Sequence, residues 1–206
     1  MLNLFSNSRK KDIFDFVVPM AYMAEKKEWD CRPHIERIRK YALLIGGGIN
    51  IHRDDLELIS IACQLHDIGK ITIPDHLVNK DGKYDEPERA IIERHTSEGA
   101  KILVDSTNPV LQLAESIART HHERWDGSGY PQQLREGEIP LGGRICALAD
   151  VFDALTTRRS YKQTIDNEEA YRLIVESSGV MFDPTLVLVF RDRFEEIKRV
   201  KLSSEI

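Results

Sequence analysis

The chain lacks the cysteine pattern of a disulfide framework or a thiolate zinc site: Cys31, Cys63 and Cys146 are odd in number and include no CxxC pair. A reducing cytosol fits that usage, and sulfur-bound zinc does not. There is no apolar run near the ~20 residues that span a bilayer; the longest candidate, Thr185 to Phe190, sits between Pro184 and a charged tail and reads as core. The opening segment places its charge after its apolar residues, and the apolar part is too short for a signal peptide. A soluble cytoplasmic protein with no membrane partner is expected. Basic charge is not in excess either. With 29 Lys and Arg against 34 Asp and Glu, the formal net charge is -5, which argues against a DNA or RNA polymer as partner. An anionic small molecule would then need local positive charge from metal ions and a few placed Arg and Lys residues.

What is present is a chain of 206 residues, 41% of them hydrophobic, enough for one large domain with a sizeable core. Periodicity predicts helices almost throughout, with no strand pairs, repeats or flexible linker. Ile35, Ile38, Ala42 and Ile45 mark one helix, ended by Gly46-Gly47-Gly48. Asp54 is the predicted N-cap of the next, whose stripe is Leu58, Ile61, Ala62 and Leu65; His66 and Asp67 fall on its last turn and Gly69 stops it. Glu86-Pro87 opens a helix carrying Ile91, Ile92 and His95, and Pro109 opens one that delivers His121 and His122 at its end. Trp125 to Pro140 reads as an ordered loop. Ile145, Leu148, Ala149, Phe152 and Leu155 mark the helix bearing Asp150 and Asp153, and two more are predicted near Asn167–Ser177 and Pro184–Val200. Residues 1–28 are set apart as an N-terminal helical extension, with Pro19 as a kink or break, ahead of a single all-α domain over 29–206. Seven or eight helices are expected.

Two adjacent histidines rarely serve packing, because successive helical side chains diverge by about 100°. His121-His122 can instead supply two neighbouring metal ions, and in His66-Asp67 the carboxylate can bridge ions that an imidazole cannot. Taken alone, His66-Asp67 is equally a C-terminal histidine with a capping aspartate. With His95 and Asp150 the candidates number six N/O ligands: His66, Asp67, His95, His121, His122 and Asp150. That is enough for two ions with positions left for water and substrate. Asp150 follows Ala147-Leu148-Ala149, and a carboxylate beside an apolar face is costly unless paired or bound to metal.

His66-Asp67-Ile68-Gly69-Lys70, then His121-His122, then Gly129-Tyr130-Pro131, together with His34, His95, Asp150 and Phe182-Asp183-Pro184, resemble the HD-GYP phosphodiesterases of bacterial cyclic-di-GMP signalling over about Cys31 to Phe190. The resemblance implies a single helical HD-superfamily domain with an ordered GYP loop. It implies metal-dependent hydrolysis of cyclic-di-GMP to linear pGpG, GMP or both through a metal-bridging hydroxide. Two transition-metal ions are implied, iron or manganese ahead of zinc. Asp67 is the bridging and catalytic carboxylate; His66 and Asp150 complete one ion, and His95, His121 and His122 the other. His34 is a ligand for a third ion, with Asp30, four residues earlier, as its carboxylate partner. Lys70 contacts phosphate beside the metals, Arg159 and Lys162 hold the dinucleotide's phosphates, and Tyr130 at the loop tip contacts the ligand. Asp153, one turn after Asp150, is expected to orient a ligand or the Lys70 ammonium. Ser160 stands where the family commonly has Pro. His52 and His76 match no functional position. Three alternatives remain: a nucleoside-phosphate hydrolase of the wider superfamily, a catalytically weak dinucleotide receptor acting through a protein partner, and a hydrolase of another cyclic dinucleotide such as cyclic GMP-AMP. A separate regulatory protein partner is a further expectation.

Overall fold

The computed structural model describes residues 7–25, 31–157 and 164–203, and these form ten α-helices with no β-strand. In chain order they are α1 (Asn7–Glu25), α2 (Cys31–Gly46), α3 (Arg53–Ala62), α4 (Asp75–Val78), α5 (Glu86–Leu103), α6 (Pro109–Thr120), α7 (Leu141–Thr156), α8 (Asn167–Glu176), α9 (Pro184–Asp192) and α10 (Phe194–Ser203). The all-α expectation holds. The count exceeds it because the connection after Gly69 contains the single-turn α4 and because the C-terminal segment breaks into two helices at Arg193.

Local chemistry explains most of the boundaries. Asp85 and Glu88 close a reciprocal capping box at the start of α5, each accepting from the other's backbone N–H at 2.9 Å. Asn108 caps α6 through the Val110 N–H at 2.9 Å, and Asp183 caps α9 through Thr185 N–H at 2.8 Å. At α3 the expectation is corrected: the cap is His52, whose Nδ1 accepts from the Asp54 backbone N–H at 3.2 Å, and Asp54 sits inside the first turn. An acidic residue there favours the helix N-terminus without capping it.

The core is continuous. α7 is buried along most of its length and carries Ile145, Leu148, Ala149 and Phe152 into it. Phe152 packs edge-on against Tyr41 of α2 (5.4 Å) and Phe190 of α9 (5.5 Å). The predicted extension joins the same core: Val17, Ala21 and Ala24, at i, i+4 and i+7, are fully buried, and the helix runs through an exposed Pro19. α1 ends against the segment that carries His66 and Asp67, and that placement puts its last residue, Glu25, inside the protein.

Candidate metal centre

The centre is assembled from the ends of α1, α2, α3 and α6 and from the middles of α5 and α7. α3 tightens into a 3₁₀ turn at Cys63–Leu65, and His66 and Asp67 follow before a second 3₁₀ turn at Ile68–Thr72. Gly69 lets this turn lie directly on α5: a Cβ there would fall 1.9 Å from the His95 carbonyl oxygen and 2.5 Å from the Gly99 nitrogen. That close backbone approach brings Asp67 within reach of His95. α6 ends at His121 and His122, and α7 presents Asp150 and Asp153 one turn apart.

Four histidines are held the same way. Nδ1 of His66 donates to the Cys63 carbonyl (2.9 Å), that of His95 to Ile92 (2.6 Å), and that of His121 to Ile117 and Ala118 (3.1 and 3.0 Å). His34 Nδ1 lies 2.7 Å from Asp153 Oδ2. A carbonyl only accepts, so in the three backbone-held rings Nδ1 carries a proton, which leaves Nε2 as the atom turned to the centre. Those Nε2 atoms converge. The five rings form one array, from His34–His66 (centroids 5.5 Å) through His66–His121 (5.1 Å) to His95–His122 (5.0 Å).

Asp67 lies between two ligand groups. Its Oδ1 is 3.3 Å from His95 Nε2 and 3.7 Å from His121 Nε2, while Oδ2 is 3.2 Å from His66 Nε2 and 2.6 Å from Lys70 Nζ. Asp67, His95, His121 and His122 each offer an atom within 4.8 Å of the others, and Glu25, His34 and His66 form a second such set. Asp150 Oδ1 stands beside that second set, 3.8 Å from His66 Nε2 and 4.0 Å from His34 Nε2.

The electrostatics match a cation site. Burial alone would lower the His66 pKa, but the Asp67 carboxylate, with Asp150 and Glu25, raises it to about 10. A proton there stands in for metal charge. His95 is pushed down to about 4 by burial, and burial with His121 holds His122 well below its ordinary value, so both rings are neutral and ready to donate. Burial lifts Glu25 to about 7 against the pull of His34 and His66. Asp67 stays well below the usual carboxylate range despite burial, because Lys70 and His66 face it. Glu25 Oε1, His66 Nε2 and Asp67 Oδ1 are buried with no hydrogen-bond partner among the described residues. Orphaned buried polar atoms are expensive, and cations held by the two ligand sets would relieve them. The donor set fits divalent transition metals.

Glu25 is the residue that sequence reading missed. Its signal was a glutamate on the buried stripe of α1, four residues after Ala21 and beside Ala24. The carboxylate named instead, Asp30, lies outside the described residues, as do Arg159 and Lys162. Asp153 contacts the His34 ring, while the Lys70 ammonium is held by Asp67.

The Gly129-Tyr130-Pro131 loop closes one side. Tyr130 stacks on His122 (centroids 4.9 Å, 28° between planes), and Gly129 passes so close to the backbone at His122–Arg124 that a Cβ would lie 2.3 Å from the Arg124 nitrogen. Glu123, buried and also unmarked by the sequence reading, pins the loop by accepting the backbone N–H of Gln132 (2.7 Å) and Leu134 (3.1 Å). Asp126 accepts the Ser128 backbone N–H at 2.9 Å, which closes a turn in the loop. A cleft of about 450 Å³ opens over Asp67, Lys70, His95, His122, Tyr130 and Asp150, and α5 adds Arg89 and Glu93 to its wall.

Similarity to known proteins agrees with this geometry. The HD domain family model matches residues 19–186. The chain is 40% identical over 188 residues to a protein of Thermotoga maritima named cyclic di-GMP phosphodiesterase, covering 91% of this chain and 51% of that one. It is 36% identical over 189 residues to the 3'3'-cGAMP-specific phosphodiesterase 2 of Vibrio cholerae, covering 92% and 36%. The chain thus spans between about a third and a half of the length of these relatives. In fold it resembles the crystal structure of the Vibrio cholerae cyclic GMP-AMP specific phosphodiesterase V-cGAP3, with a TM-score of 0.66 at 22% identity over 94% of this chain and 51% of that one. Among the described residues no helix is long and apolar enough to cross a membrane.

Proposed function

Because this chain belongs to the HD domain family, and within it to the HD-GYP type, we propose that it is a metal-dependent phosphodiesterase that hydrolyses cyclic-di-GMP at a 3′–5′ bond to linear pGpG, GMP or both. The observation that carries the reading is the position of Asp67, one oxygen toward His95 and His121, the other toward His66 and Lys70. A carboxylate so placed would offer one oxygen to each of two ions. Asp67 would serve both ions, with His66 and Asp150 holding one and His95, His121 and His122 the other. His34 and Glu25 hold a third; Asp30 lies outside the described residues. Iron or manganese is favoured by the mixed imidazole and carboxylate donors, with zinc as the alternative. When bound, such ions supply Lewis acidity toward phosphate and activate water near neutral pH.

The protein's own groups do the rest. Lys70, fixed by Asp67, presents its ammonium where charge builds on a non-bridging phosphate oxygen. The four Nδ1 bonds keep each ring in one tautomer and one orientation, so no reorganisation is needed as the substrate arrives. Tyr130 offers the cleft the face that His122 does not cover. Arg159 and Lys162 are assigned to the phosphates on sequence alone.

The same site would accept a cyclic GMP-AMP, and the Vibrio relative's name favours keeping that second reading. The test is incubation of protein loaded in turn with iron, manganese and zinc with each dinucleotide, products separated by chromatography. Cleavage of cyclic-di-GMP is expected. Unchanged substrate in all three metal forms would overturn the assignment, as would activity surviving Asp67→Ala.

A further inference from the structure

Beyond the candidate metal ligands, the wall of the cleft carries a charged pair that the sequence did not single out. Arg89 and Glu93 stand one turn apart on α5, where neighbouring side chains have Cβ atoms about 5–6 Å apart. Both line the cleft over the metal centre and an adjoining lobe of about 260 Å³ that also reaches His122 and Tyr130. Glu93 is half-buried and Arg89 exposed, yet neither side chain hydrogen-bonds or ion-pairs with another described residue. A half-buried carboxylate left unpaired beside a cation four residues away is aimed at something other than its own helix. The Glu93 charge is felt inside the cleft: after burial it is the largest cause that raises the Tyr130 phenol's pKa.

Resting on the phosphodiesterase reading, we propose that Glu93 and Arg89 form the base-reading edge of the cleft and select guanine over adenine. The chemistry is complementary at each position. Guanine presents two adjacent donors, N1–H and N2–H, which a carboxylate accepts together, with O6 beside them as an acceptor for a guanidinium. Adenine presents an acceptor at N1 and a donor at N6, so both positions would meet the wrong partner. Placement agrees with this. His95 belongs to the centre, and at 1.5 Å per residue Glu93 and Arg89 lie about 3 and 9 Å along α5 from it. A nucleoside that extended along the cleft from a phosphate on the centre would meet both side chains, with the Tyr130 ring lining the same space. The unpaired acceptor also makes discrimination strong, because a wrong base leaves a partly desolvated charge without its bond.

The experiment compares kcat/KM for cyclic-di-GMP, 3′,3′-cyclic GMP-AMP and cyclic-di-AMP, with bis(p-nitrophenyl) phosphate as a base-free reference, in wild type, Glu93→Gln and Arg89→Met. A correct bidentate pair is worth about 5- to 150-fold in discrimination. Glu93→Gln, which can face either base, is expected to lower the ratio of cyclic-di-GMP to cyclic-di-AMP by at least about tenfold, mainly through KM, and Arg89→Met to lower it in the same direction. Cyclic GMP-AMP should fall between. A ratio unchanged in both variants, or a loss on cyclic-di-GMP no greater than on the base-free ester, overturns the proposal. If wild type cleaves no dinucleotide, the phosphodiesterase reading fails separately. Calorimetric binding of the same three dinucleotides, wild type against Glu93→Gln, then decides the base preference.

Discussion

Asp153 Oδ2 lies 2.7 Å from His34 Nδ1 while the same carboxylate receives Arg37 Nε at 2.6 Å and Nη2 at 2.9 Å, all three side chains being buried. One aspartate thereby fixes a candidate metal ligand and neutralises a buried guanidinium. Removing it leaves Arg37 charged and without its main partner, a loss of about 3–5 kcal/mol for a buried pair. Asp153→Ala and Asp153→Asn should both show that loss in urea unfolding, with metal affinity at the His34 position down roughly 10- to 100-fold. The pH dependence has a definite sign. Burial would raise the Asp153 pKa, but Arg37 and His34 hold it well below the ordinary 3.8. Its stabilisation is therefore complete above that value and is lost only as pH falls toward the lower folded one. Wild type should lose stability steeply in acid, and Asp153→Asn less so.

Glu25 makes the opposite prediction for stability. Burial raises its pKa from 4.5 to about 7 in the metal-free protein, so folding favours the protonated carboxyl, and stability falls as pH rises from about 4.5 through 7. The full effect is about 3 kcal/mol at most. Glu25→Gln should remove this fall, making the chelated variant more stable than chelated wild type at pH 8.5 and little different below pH 4.5. With metal supplied the order should reverse, since the variant lacks a ligand. Elemental analysis should find up to one ion fewer per chain. Equal metal content and equal stability at both pH values would take Glu25 out of the centre.

The individual helices and most of the clustered His and Asp residues were legible because each leaves a local mark: a stripe at helical spacing, a Pro or Gly boundary, a polar pair at a helix end. His66, Asp67, His121 and His122 have that character. Glu25 did not, because burial of a glutamate on α1 depends on what the helix packs against, and the turn after Ala62 is distant in sequence. Glu123 is legible only through Gln132 and Leu134, whose backbone N–H groups it satisfies nine and eleven residues later. Arg89 and Glu93 look like an ordinary solvated i, i+4 pair until the cleft is seen to open beside them. The His52 cap was hidden because histidine ranks below aspartate in capping preference, and Asp54 stood two residues away.

Glu123 tests the loop without removing a candidate metal ligand. Glu123→Ala strips the acceptor from two backbone N–H groups, each costing about 1–3 kcal/mol if left unsatisfied and buried. The Gly129-Tyr130-Pro131 segment should loosen relative to His122. KM for a cyclic dinucleotide should rise about tenfold with metal content unchanged, and hydrogen exchange should speed up at Gln132 and Leu134. Loss of metal in this variant would mean that Glu123 supports the His121-His122 helix end rather than the loop.

Gly69 tests whether the turn must touch α5. A methyl group at this position would lie 1.9 Å from the His95 carbonyl and 2.5 Å from the Gly99 backbone nitrogen, and neither backbone atom can move as a flexible side chain would. Gly69→Ala must therefore push the Ile68–Thr72 turn off the helix. Overpacking of this kind typically costs 1–3 kcal/mol, more where backbone is the obstacle. The displacement is borne by the bridge, since Asp67 Oδ1 and His95 Nε2 are 3.3 Å apart across that contact. The variant should fold with a lowered Tm, lose metal from the Asp67–His95 position, and lose at least about a hundredfold in kcat/KM. Gly99→Ala, whose added carbon meets the Gly69 nitrogen at 3.1 Å and the Ala118 and Ile68 side chains at 3.2 Å, requires its neighbours to give by only a few tenths of an ångström and should lose less. If the two substitutions prove equally mild, close backbone approach is not what sets the distance between Asp67 and His95.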